Sequence, residues 1–235
     1  MMDSIAERVL RVREKIAEAA LRAGRDPREI CLVAASKTMD AERVREAIRA
    51  GVDAVGENRC QELIQKNGEG AYAGAPLHFI GHLQQNKLKY LVGTADLIQS
   101  VDGEELLRQV EHRAGLLDVV QPVLLQVNVG REAQKGGILP ESLPEVLGLA
   151  GTLPHVRLEG LMAIPPAPVP GEKYPYFEEM YKLFIDISSK KYDNIHMNIL
   201  SMGMSADYPA AIEAGANMVR VGTAIFGVRS GYPAG

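Results

Sequence analysis

Ile30-Cys31-Leu32-Val33-Ala34-Ala35, followed at once by Ser36-Lys37-Thr38-Met39, is a short apolar run that ends in a polar turn. An unbroken run of this kind suits a strand buried on both faces, as in a parallel sheet covered by helices. A dinucleotide-binding Rossmann unit would carry G-x-G-x-x-G at the turn, and no glycine stands there. Upstream, Ser4 and Glu7 match the S-x-x-E capping box, and Ile5, Val9, Val12, Ile16 and Ala20 recur every three or four residues. That pattern predicts an amphipathic helix ahead of the strand, stopped near Gly24 and Pro27.

Downstream the same rhythm repeats: a short apolar strand, a polar or glycine-bearing turn, then a helical stretch. Further strands are predicted near 52–56, 77–81, 96–100, 122–128, 157–163, 195–200 and 218–222, after the first near 30–36. Helices are predicted near 40–50, 57–67, 84–91, 103–115, 141–151, 175–190 and 207–215. Eight alternating βα units in 235 residues, with 46% hydrophobic content, fit one α/β domain over residues 1–235, a TIM (β/α)8 barrel better than an open doubly wound sheet. The loop Ala163 to Pro175 breaks the rhythm with Pro165, Pro166, Pro168 and Pro170 ahead of Gly171, and reads as a stiff surface connection or a lid-like segment.

The net charge of −4 comes from 26 basic and 30 acidic residues without a basic block, so nucleic acid is not an expected partner. Cys31 and Cys60 form no disulfide framework and no zinc spacing, and read as reduced core thiols. The first residues lack the charged start and apolar run of a signal peptide, and no stretch approaches a membrane span. A soluble, cytoplasmic protein is expected.

In a TIM barrel the working groups sit at the C-terminal ends of the strands. Those ends are polar here: Lys37, Glu57-Asn58, His82, Ser100, Asn128, Ser201, and Arg220 with Gly222 and Thr223. A lysine at the mouth of a dry barrel has its amine pKa lowered by desolvation and becomes a nucleophile toward carbonyls, while its bland alternative is a solvated residue or a partner for Glu57. Ser201-Met202-Gly203-Met204-Ser205, ahead of a helix started by Asp207 and Pro209, and the turn Val221-Gly222-Thr223 together suit a phosphate. A Schiff-base lysine facing a phosphate site describes either an aldolase on phosphorylated sugars or a pyridoxal phosphate (PLP) protein, and spacing alone leaves both open.

Several longer stretches carry a resemblance: Leu32-Val33-Ala34-Ala35-Ser36-Lys37-Thr38, Gly56-Glu57-Asn58-Arg59, His78-Phe79-Ile80-Gly81-His82 through Lys87, Leu158-Glu159-Gly160-Leu161-Met162, Leu200 through Asp207, and Val219 through Gly227. In order and spacing, nearly end to end, they resemble the pyridoxal phosphate homeostasis protein family, also described as YggS-like or proline synthetase co-transcribed proteins. The resemblance implies PLP as cofactor, held as a Schiff base on Lys37. It places Ser201, Met204, Ser205, Gly222 and Thr223 around the phosphate and pocket, Arg220 against the pyridine nitrogen, and Asn58 and His82 near the ring or the mouth. The stretch Asn128 to Gly137 matches more loosely.

The same barrel resembles the alanine racemase N-terminal domain, PLP fold type III. Racemases of that kind add a β-rich domain that supplies a tyrosine as second proton donor and acceptor, and the sequence ends at Gly235, just after its eighth unit. An arginine at the ring nitrogen also keeps that nitrogen unprotonated and the ring a weaker electron sink. The implied function is therefore non-catalytic binding of PLP in intracellular vitamin B6 homeostasis, with PLP-dependent apoenzymes as partners and a monomer preferred over a homodimer. A weak PLP-dependent amino-acid racemase is the alternative. His78, His112, His155 and His196 show no metal-ligand spacing, so no metal is expected, and Met197, Met202, Met204 and Met218 read as filling around core and pocket.

Overall fold

Ser4 caps the first helix as its spacing predicts: the Ser4 hydroxyl accepts the Glu7 N–H at 3.2 Å, and the Glu7 carboxylate accepts the Ser4 N–H at 2.7 Å. The computed structural model describes residues 3–167, 175–190 and 194–227. The chain runs α1 (Ile5–Arg22), β1 (Cys31–Ala35), α2 (Ala41–Arg49), β2 (Ala54–Glu57), α3 (Cys60–Gly68), β3 (Leu77–Phe79), α4 (Leu88–Leu91), β4 (Leu97–Val101) and α5 (Glu104–Leu117). It continues with β5 (Gln121–Val127), α6 (Leu143–Ala150), β6 (Val156–Ala163), α7 (Tyr176–Ser188), β7 (Ile195–Ser201), α8 (Tyr208–Glu213), β8 (Met218–Val221) and α9 (Thr223–Phe226). All strands pair in parallel with their sequence neighbours and β8 returns to β1, closing an eight-stranded barrel. The β/α barrel expected from the alternating apolar runs is the fold.

Strand alternation divides the core in two. Val33, Ala54, Leu97, Leu124, Met162 and Met218 fill the barrel, with Cys31 and Ile199 against them. Their neighbours along the strands, among them Val55, Phe79, Ile98, Leu125 and Leu161, face the helix shell. The buried stripe of α1 joins Leu32, Ala34, Val219 and Val221 in a separate cluster that closes the β1–β8 side.

Local packing moves several predicted boundaries. β2 runs on to Glu57, so α3 starts at Cys60 and not near 57. β3 stops at Phe79, because Gly81 lies so close to the chain that a Cβ there would stand 2.1 Å from the Asn58 carbonyl oxygen. The helix predicted near 84–91 is a 3-10 turn, Gln85–Lys87, leading into α4, and α9 was not anticipated. Gly160 sits at φ +150 beside the β6–β7 register shift, where a Cβ would meet the Ile199 carbonyl oxygen at 1.9 Å. The lid-like character expected of Ala163–Pro175 falls mainly on residues 168–174, which lie outside the described residues. Both cysteines are free thiols, and burial pushes Cys31 up to about 12. No helix among the described residues is long and apolar enough to cross a membrane.

Candidate functional site

Just past β1, residues 36–39 form a turn closed by the Met39 N–H to the Ser36 carbonyl at 3.0 Å. Thr38 stands at φ +66, a left-handed conformation that costs a residue with a Cβ about 1–2 kcal/mol. The surroundings hold it there. The Thr38 N–H donates to the Glu62 carboxylate at 2.6 Å, the Ser36 hydroxyl donates to Glu57 Oε1 at 2.5 Å, and the Ser36 carbonyl accepts from Lys66 Nζ at 2.9 Å. Lys66 Nζ in turn lies 2.7 Å from Glu57 Oε1 and 3.5 Å from Glu62 Oε2. The Tyr72 hydroxyl donates to the same Glu57 oxygen at 3.1 Å. Burial first, and the Glu57 carboxylate second, push the Tyr72 phenol far above its ordinary value, so it remains a donor. A buried ion cluster thus clamps both neighbours of Lys37.

Lys37 itself is exposed. The burial expected of a lysine at a dry barrel mouth is corrected for the residue as a whole: the left-handed turn follows it and leaves it beyond the strand end. Glu57, the partner a bland reading would give Lys37, is engaged by Lys66, Ser36 and Tyr72.

Inside the barrel, Arg220 is buried and donates to Ser201 Oγ at 2.6 Å and to the Ala163 carbonyl at 2.8 Å. Both acceptors are uncharged, and burial lowers the guanidinium to about 10, with Asp207 opposing the shift, so it stays cationic near neutrality. Ser201 is fully buried, and its hydroxyl is shared between Arg220 and Gln99.

Beyond Gln99 sits His78, Nδ1 to Nε2 at 3.0 Å, and burial drives the imidazole down to about 4. In the unfolded chain a histidine titrates near ~6.5. Below that pH the unfolded state binds a proton that the folded state refuses. Its contribution is therefore intact above ~6.5 and lost as pH falls toward ~4, up to about 3 kcal/mol. We expect His78→Asn to flatten the fall in stability across that window in urea titrations. Equal slopes for the two proteins would contradict the assignment.

The loops after β7 and β8 are tied together. The Arg220 N–H donates to the Gly203 carbonyl at 3.0 Å, and the N–H groups of Gly222 and Ala224 converge on Ser205 Oγ at 3.2 and 3.3 Å. Met204 is exposed and donates its N–H to Asp207 Oδ1 at 2.6 Å, while Thr223 is exposed beside Gly222. A Cβ on Gly222 would approach the Ala35 carbonyl oxygen to 3.2 Å, so this amide pair abuts the strand end that leads into Lys37.

Asn58 and His82 meet elsewhere on the same mouth, in a cavity of about 180 Å³ shared with Arg59, Phe79 and Lys87. Asn58 Oδ1 is buried without a hydrogen-bond partner. His82 is exposed, its Nδ1 3.6 Å from Asp102 Oδ2. Asn128 ties its own loop: its amide donates to the Glu132 and Lys135 carbonyls at 2.9 and 3.1 Å. Among the described residues no group of three or more His, Cys, Asp or Glu is placed to hold a metal.

Lys66, Tyr72 and Gln99 escaped sequence reasoning. Lys66 did leave a signal, since it continues the buried spacing of Cys60 and Leu63 along α3. The donor set suits an aromatic phosphate ester bearing a carbonyl: a hydroxyl and two amides gathered at Ser205 for the anion, a buried cation whose acceptors among the described residues are uncharged, an amide oxygen orphaned among them, and a nearby primary amine.

Comparison with known proteins agrees in kind. Residues 8–230 match the family model described as alanine racemase, N-terminal domain. A pyridoxal phosphate homeostasis protein of Aquifex aeolicus is 43% identical over 95% of this chain and 97% of its own length. A solved structure from Bifidobacterium adolescentis is 35% identical with a TM-score of 0.87, covering 96% of this chain and 98% of that one. PipY of Synechococcus elongatus PCC7942, solved with PLP bound, is 33% identical with a TM-score of 0.79 over 95% of this chain and all of its own.

Proposed function

This chain belongs to the alanine racemase N-terminal domain family, among its pyridoxal phosphate homeostasis proteins, and on that premise we propose that it binds PLP on Lys37 and buffers the cell's supply of the cofactor. The observation that carries the reading is the amide pair of Gly222 and Ala224, set against the end of β1, from which Lys37 follows directly. PipY, a relative of nearly equal extent, binds the same cofactor.

In this reading Lys37 holds the cofactor aldehyde as a Schiff base. Ser205, Gly222 and Thr223 would hold the phosphate, with Met204 and the buried Ser201 next to them in the same loops. Arg220 would meet the ring nitrogen, and Asn58 and His82 would lie near the ring or the mouth. When bound, PLP supplies an electrophilic carbon and an electron-accepting ring. Arg220 has no proton to give readily, so it leaves the ring nitrogen unprotonated and restrains carbanion chemistry. We infer binding without turnover, a single working copy, and PLP-dependent apoenzymes as recipients.

Ser205→Asp puts a carboxylate where the two amides converge. Repulsion at that range is expected to weaken PLP about tenfold or more in equilibrium dialysis, and to leave pyridoxal, which lacks the phosphate, nearly unaffected. Equal losses for both ligands would place the phosphate elsewhere.

The family-model match keeps weak racemisation as a second reading. Incubation of the PLP-loaded protein with amino acids in deuterated water is expected to give no exchange at the α-carbon. Exchange that Lys37→Ala abolishes would make the protein an enzyme.

A further inference from the structure

Four polar side chains from four strands cross the barrel interior in a line whose bonds all run one way. Arg220 on β8 donates to Ser201 Oγ at 2.6 Å, Ser201 on β7 donates to Gln99 Oε1 at 2.7 Å, and Gln99 on β4 aims Nε2 at His78 Nδ1 on β3 at 3.0 Å. The direction follows from the guanidinium at one end and from the Gln99 amide, whose Oε1 faces Ser201 and whose Nε2 faces His78. A guanidinium only donates, so Ser201 must accept from it and has one hydrogen left for Gln99 Oε1. The Gln99 amino group then faces the other way, toward His78 and Met218 Sδ at 3.2 Å. His78 Nδ1 must accept, which leaves its proton on Nε2 and its ring neutral.

Arg220, Ser201, Gln99 and His78 are 4, 0, 0 and 6% exposed. Buried polar groups are costly unless fully paired, and packing does not call for them, since Val33, Ala54, Leu97, Leu124, Met162 and Met218 fill the barrel with apolar atoms. What the line does accomplish is to fix one nitrogen of Arg220, while the Ala163 carbonyl fixes another at 2.8 Å. Aligned bonds also polarise one another along the chain.

We propose that Gln99 and His78 are positioning residues, which set the orientation and donor strength of Arg220 toward bound PLP and through it the electronic state of the cofactor ring. The inference rests on the reading that Lys37 and Arg220 hold PLP. A protonated His78 would lose the acceptor that ends the line and add a second buried cation, so a neutral imidazole is part of the device.

The test compares PLP-loaded wild type with Gln99→Met, His78→Leu and His78→Asn, by the absorption band of the Lys37-bound cofactor, its pH profile, and retention on dialysis. Asn Oδ1 can stand where His78 Nδ1 stands. We expect Gln99→Met and His78→Leu to shift the band and its pH midpoint and to weaken retention roughly tenfold, and His78→Asn to restore both. Should Gln99→Met not fold, the two His78 variants still decide. Variants that carry the adduct on Lys37 with an unshifted band and midpoint would overturn the positioning role, as would His78→Asn behaving like His78→Leu. A wild type that forms no Lys37 adduct would instead overturn the cofactor reading on which the proposal stands.

Discussion

Lys37→Ala is expected to abolish covalent PLP binding and to leave the barrel intact. The side chain lies in an exposed turn beyond β1, outside all three apolar clusters. Exposed substitutions of this kind usually change stability by no more than about 0.5 kcal/mol. Covalent retention, by contrast, depends wholly on one primary amine. The variant should unfold in urea as the wild type does, yet release all its cofactor on dialysis and keep no label after borohydride reduction. Full labelling of Lys37→Ala on another lysine would sink the assignment. The remaining contacts, from the amides of Gly222 and Ala224 and from Arg220, should still give weak reversible binding.

Lys66→Met is expected to be the most damaging change away from the cofactor. It leaves the fully buried Glu57 carboxylate without its cation, and removing one partner of a buried ion pair costs about 3–5 kcal/mol. It also frees the Ser36 carbonyl, and the Glu62 carboxylate that holds strained Thr38 loses its neighbouring ammonium. Both neighbours of Lys37 are thereby loosened. Replacing both charges, as in Lys66→Met with Glu57→Leu, removes the uncompensated charge, so the double variant should be more stable than the sum of the single losses implies. Urea unfolding of the two single variants and the double variant measures this coupling. Strictly additive losses would mean that the pair acts as two independent side chains.

The barrel was legible because parallel strands covered on both faces read as unbroken apolar runs, and Ile30 to Ala35 is such a run. The loops proposed here to hold the phosphate stand out in the sequence because they follow strands seven and eight, where glycine and hydroxyl residues gather. The boundaries that moved did so for tertiary reasons. Gly81 ends β3 early by packing on the Asn58 backbone, and the buried Glu57 carries β2 further than its apolar residues do. Exposure of Lys37 was illegible because it depends on the left-handed turn at Thr38, and that turn depends on Glu62 from another helix. Gln99 is one polar residue in a strand, and only barrel closure shows it between Ser201 and His78.

The most direct test of the central claim is to load the protein with PLP, reduce it with borohydride, and locate the added mass by peptide mass spectrometry. A single adduct on Lys37 is the predicted result. An unmodified Lys37, or label scattered over surface lysines, would contradict it.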